Sequence, residues 1–230
     1  MNLWSTRKAS LELLEADLSA ARVAIERAFA IIDKCIDVFN QYAAEDKYSR
    51  ICGLALAKAR NYALGAYGMI LDNLGQEAGA LMRPFLEYYE LLVYFAQDPN
   101  RVDQAADDKL PSAGKRAKLI GSDFKGFRGY LSENASHSSY SLYSMQHLLD
   151  PNSFLIRPHQ QFAPKVLFRN LGDLFAQLVL LCFQAAICVS IRDHQSGVQL
   201  SQDTGRLRDE GGTIFKLNER LNAEYEPDKP

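Results

Sequence analysis

From Ser5 to Glu45 the chain contains neither glycine nor proline, and its apolar residues recur in unbroken steps of three and four. Leu11, Leu14, Leu18, Ala21, Ile25, Ala28, Ile32, Cys35, Phe39 and Tyr42 form the a/d seam of a heptad. Glu12, Glu15, Asp17, Arg22, Glu26, Arg27, Asp33, Lys34 and Asp37 flank it. A strand would repeat every two residues, so this period admits only a helix. The spacing predicts one long amphipathic helix with Ser5 or Thr6 as its N-cap. At about 1.5 Å per residue it would reach ~60 Å, more than a typical single-domain core. The seam therefore needs an antiparallel partner within the chain or a second copy, and small Ala21 and Ala28 suit close packing in either case.

A second helix is expected from about Lys47 to Leu74. Tyr48, Cys52, Ala55, Ala59, Tyr62, Ala66, Tyr67 and Ile70 share one face, Gly53, Gly65 and Gly68 permit close contact, and Gly75 serves as C-cap. A third runs from Gln76 to about Gln97, with Leu81, Phe85, Tyr88, Leu92 and Phe95 on one stripe and a kink at Pro84. Short helices are expected near 101–110 and 112–120, and a longer one from Phe124 to Leu149. Turns around Pro151 and Pro158 precede an apolar helix from about Pro164 to Asp193. A polar linker over 195–205 then leads to a short final helix near Thr213–Tyr225. No segment reads as a strand. The expectation is an all-α chain, one domain over residues 1–230, folded as a five- to seven-helix bundle with a long N-terminal amphipathic helix.

Composition narrows the partners. The net charge is -2 and the pI about 6.1, so the chain as a whole attracts neither nucleic acid nor an anionic membrane, and such a partner needs a local basic patch. Cys35, Cys52, Cys182 and Cys188 form no C-x-x-C and sit among apolar residues at helical spacing. They read as reduced core thiols of a cytoplasmic protein. The start, Met1 to Lys8, shows no apolar signal-peptide core. Leu171 to Ile191 approaches the ~20 residues that span a bilayer, but Asp173, Gln177 and Gln184 recur along it. Those residues favour a buried bundle helix over a membrane segment.

The motifs of the common helical enzymes are missing. There is no H-E-x-x-H, no E-x-x-H pair, no phosphate loop and no G-x-S-x-G elbow, and the four histidines lack close pairing. Neither a cofactor nor a metal site is expected. Two segments stand out instead. Arg83 and Glu87 lie four apart on a helix that is otherwise apolar and aromatic, where a charged pair borders the core. Further on, Glu133, Asn134 and His137 fall one turn apart among small hydroxyl residues, which leave room to approach an imidazole that titrates near neutrality. Between them Lys109, Lys115, Arg116, Lys118, Lys125 and Arg128 face a single acidic residue, Asp123. Lys115, Arg116, Lys118, Lys125 and Arg128 are thus candidates for holding RNA or another anion.

These segments resemble a bacterial family of all-helical proteins of unknown function, marked by an Ala-Leu-x-Arg-x-x-x-Glu helix and a later Tyr/Leu-Ser…His motif. Ala80, Leu81, Arg83 and Glu87 match the first element. Tyr130, Leu131, Ser132 and His137 follow the second with a spacing altered by about one residue. The resemblance spans roughly residues 50 to 190. More remotely, the architecture is similar to the HEPN bundles, many of which are metal-independent ribonucleases with an arginine four to six residues before a histidine. No histidine here has an arginine at that spacing, so such an activity would draw its arginine from another helix, with Arg83 the candidate.

The residues favour a non-enzymatic binding or regulatory module with a polar pocket of Arg83, Glu87, Asn134 and His137. Two alternatives stay open: a HEPN-like ribonuclease or toxin of a defence or stress system, and a structural coiled-coil protein. The partners expected are a second copy through the N-terminal helix and RNA or an anionic ligand.

Overall fold

In the computed structural model, residues 4–136, 148–150, 153–157 and 162–216 are described. Over these residues the chain is all-α, with nine α-helices, two single turns of other helix types and one isolated antiparallel bridge, Leu149 to Ile156. The helices are α1 (Ser5–Glu15), α2 (Ser19–Tyr42), α3 (Lys47–Leu71), α4 (Gly75–Gln97), α5 (Val102–Ala106), α6 (Ala113–Leu119), α7 (Lys125–Leu131), α8 (Pro164–Arg192) and α9 (His194–Lys216). A 3-10 turn, Pro99–Arg101, precedes α5, and a π turn, Ser132–Ser136, extends α7.

The helix count exceeds the five to seven expected, partly because the N-terminal helix is not continuous. Ala16 leaves helical geometry at φ -106°, ψ -100°, and the Leu18 amide donates to the carbonyl of Leu13, five residues back, at 2.8 Å. The cause lies in what the helix packs on. The 24 residues of α2 match the 25 of α3, so a straight continuation would overrun its partner. On either side of the break Leu14 and Leu18 enter the core, while Leu11 stays 44% exposed. Arg7 ties α1 to the end of α3 through Asp72 (2.6 Å from Nε) and the carbonyl of Gly68 (2.9 Å). Ala21, Ile25, Ala28, Ile32, Cys35 and Phe39 of the seam are all buried in the core that α2 forms with α3, α8 and α9 of the same chain.

The centre is α8. Its run of Leu, Val, Ala, Cys and Phe buries more than half of the helix circumference against α2, α3, α4 and α9, and Leu180, Ile187 and Ile191 lie on the exposed face. It is long and apolar enough to cross a membrane, and most of that stretch is buried inside the bundle. The four cysteines are free and buried; the thiol of Cys182 donates to the carbonyl of Ala28 at 3.4 Å and that of Cys188 to the carbonyl of Leu92 at 3.5 Å. Burial pushes the Cys35 thiol up to about 12, so it stays protonated.

Two further expectations change. The stretch 195–205 is not a linker: it lies inside α9, capped by Asp193, whose carboxylate accepts from the Ser196 amide at 3.0 Å. Gly197, Leu200, Thr204, Leu207 and Gly211 form its buried stripe. A Cβ at Gly197 would lie 2.3 Å from Cβ of Ser190, and one at Gly211 only 2.1 Å from the Phe175 ring, so both glycines are required for the close approach to α8. The helix expected over Phe124–Leu149 differs at both described ends. It is α-helical over Lys125–Leu131 and passes into the π turn Ser132–Ser136, and Leu149 pairs with Ile156 around a turn closed by the Asp150–Arg157 ion pair.

Candidate functional site

The geometry of the site starts at the junction of α3 and α4. Asn73 adopts the left-handed conformation (φ 62°); its amide donates to the carbonyl of Ile70 at 3.0 Å and the Leu74 amide to that of Met69 at 2.9 Å. This pair of bonds closes α3 as a Schellman cap, with asparagine where glycine is commoner. Gly75, expected as the cap, instead opens α4. A Cβ there would lie 2.4 Å from Nδ2 of Asn170 in α8, and one at Gly79 would lie 2.8 Å from Cβ of Ala135 in the π turn. Two glycines one turn apart therefore let α8 and the π turn close in on α4 from two sides.

Between these three elements opens a cavity of about 630 Å³. Ile70, Met82, Leu131 and Leu174 give it an apolar lining, and Phe127 and Tyr130 add aromatic surface. Gln76 of α4 and Arg169, Asn170, Asp173 and Gln177 of α8 are its polar groups. Arg169, Asp173 and Gln177 recur at i, i+4 and i+8 on one side of that helix, which points them into a common space. Every other arginine among the described residues is bonded to a carboxylate or a carbonyl oxygen. Arg169 is the exception, and it makes no ion pair with Asp173 one turn away. Partial burial raises the Asp173 carboxyl above its ordinary range, with Arg169 opposing the shift. Among the described residues, the lining contains no serine, threonine, cysteine, histidine or lysine. The described residues hold no cluster of His, Cys, Asp and Glu grouped to bind a metal ion.

The residues singled out from sequence fall elsewhere. Arg83 and Glu87 form a half-buried ion pair on α4, 3.3 Å long, outside the cavity lining. The backbone of Asn134 lies in the π turn beside α4; its side chain and His137 lie outside the described residues. The basic segment is not one free surface. Arg116 donates from Nη1 to the carbonyl of Pro111 at 2.7 Å, and Arg128 donates to buried Glu90 at 3.0 Å. Lys115, Lys118 and Lys125 are exposed.

Sequence reasoning missed Glu90, whose carboxylate is buried and also accepts from the Ser122 hydroxyl. Its signal was available, since Arg83, Glu87 and Glu90 fall on one helix face at i, i+4 and i+7. The polar group of α8 was visible too: Arg169, Asp173 and Gln177 repeat every fourth residue through an apolar run. Comparison with known proteins adds no family to this geometry: the chain matches no protein-family description, no curated protein and no solved structure.

Proposed function

We propose that the chain is a non-enzymatic binding protein whose cavity between α4, α7 and α8 takes a small amphipathic organic molecule. The observation that carries this reading is Arg169, which lines the cavity with no hydrogen bond or ion pair to another described residue, while every other described arginine has one. Arg169 is exposed at the cavity mouth, so its guanidinium stands free to bond a ligand acceptor beside apolar and aromatic surface. The volume suits a small molecule rather than a macromolecular segment, and the mixed lining suits one with an apolar body and a few polar groups. Calorimetric titration with 1-anilinonaphthalene-8-sulfonate, an aromatic anion, tests the reading. One site per chain is expected, blocked by Ala176→Trp at the cavity lining and weakened about tenfold, or ~1.4 kcal/mol, by Arg169→Ala. Binding that both variants leave unchanged would place the dye elsewhere and refute the proposal.

A further inference from the structure

We infer that the cavity selects a zwitterion, with an anionic group at Arg169, a cationic group at Asp173 and an apolar or aromatic body over Met82 and Phe127. This rests on the binding reading above and narrows it to one ligand class.

Charge accounting decides the ligand class at the cavity mouth, where Arg169 and Asp173 are both exposed and a ligand body would cover them. Arg169 and Asp173 line the same cavity one helical turn apart, and neighbours at that spacing have Cβ atoms about 5–6 Å apart. Such a pair ordinarily satisfies itself, although arginine ahead of the acid is the weaker order. Here the two heads stay separate, and neither makes an ion pair with any described residue. A ligand with one charge would neutralise one head and leave its apolar body against the other, which costs desolvation without return. A ligand carrying both charges a few ångströms apart satisfies both heads at once. The geometry is that of an α-amino acid, whose carboxylate and ammonium flank a single carbon. Asn170 and Gln177, beside the two charged residues, add neutral donors and acceptors. Phe127, an aromatic residue of the lining, adds surface for the body or the ammonium.

Three probes of one skeleton separate the possibilities by calorimetry on the full chain: L-phenylalanine, 3-phenylpropionate, which lacks the ammonium, and phenethylamine, which lacks the carboxylate. L-phenylalanine should bind at least about tenfold more tightly than either single-charge analogue. Asp173→Asn should bring its affinity down to that of 3-phenylpropionate, and Arg169→Gln down to that of phenethylamine. Both positions lie at the exposed edge of α8, so the variants keep the bundle, which circular dichroism verifies. Equal binding of either single-charge analogue overturns the zwitterion assignment and leaves the binding reading intact. No binding of any probe at about 10 mM, a very weak interaction, also overturns the assignment. The binding reading itself falls if dye binding is left unchanged by both Ala176→Trp and Arg169→Ala.

Discussion

Arg128 Nη1 sits 3.0 Å from Oε2 of Glu90, joining α7 to α4 across 38 residues of sequence through a carboxylate that is 2% exposed. The contact fixes the position of α7, which supplies Phe127, Tyr130 and Leu131 to the cavity. Removing one partner of a buried pair strands the other charge. Arg128→Ala should therefore cost about 3 kcal/mol in urea denaturation. The double variant Glu90→Leu/Arg128→Met should be clearly more stable than Arg128→Ala, because it leaves no charge to desolvate. A double variant no better than the single would show that the pair is not a desolvated unit.

Neighbouring glycines in α9 should respond to alanine with opposite sign. At Gly211 the added methyl meets the Phe175 ring at 2.1 Å; at Gly212 it meets nothing within 4 Å. Gly211→Ala should cost about 1–3 kcal/mol through overpacking. Gly212→Ala should gain up to about 1 kcal/mol from helix propensity. Paired melting curves check both, and equal shifts would contradict the α8–α9 packing.

Acid should divide the aspartates into two groups. The folded pKa of Asp173 is raised by burial, against the pull of Arg169. Folding thus binds a proton more tightly there, and the resulting stabilisation is present below the ordinary carboxylate range and lost as pH rises through the folded pKa. Asp173→Asn should accordingly be more stable than the parent at pH near 7, with the gap closing below about pH 4. Asp193 behaves oppositely. The Ser196 amide and hydroxyl hold its pKa down, so its contribution is present at neutrality and lost as pH falls through the folded pKa. At Asp46 burial pushes the pKa up, but hydrogen bonds from Ser49 and the nearby Arg192 outweigh it and the net shift is downward. Asp193→Ala and Asp46→Ala should thus be destabilised at neutral pH and approach the parent in acid. Denaturation midpoints between about pH 3 and 7 provide the measurement.

What could be read from the sequence follows from where apolar side chains dominate. The seam of α2 from Ala21 to Phe39 and the run of α8 from Leu167 to Val189 are buried in the structure, because a large apolar stripe has few other places to go. Helix α9 was hidden, since its buried stripe consists largely of Gly197, Thr204 and Gly211, residues that weaken both the hydrophobic and the helical signal. The break at Ala16 was equally illegible: it depends on the length of α3 and on a bond between Arg7 and Asp72, 65 residues apart. At the candidate site, the four-residue period of Arg169, Asp173 and Gln177 was visible. The surfaces facing it were not, because two glycines of α4 and the π turn complete the cavity only in three dimensions.

The interruption between α1 and α2 also sets an order of loosening. Within its own eleven residues α1 buries only Ser10 and Leu14, and the Arg7 bonds to Asp72 and Gly68 clasp it to the end of α3. A continuous rod would exchange its amide hydrogens only when the whole bundle opens. A clasped segment can let go alone, so the protection of its amides measures the strength of the clasp rather than that of the core. The first turns of this chain thus form a sub-global unit, while α2, with the rest of the same heptad seam, opens only with the bundle.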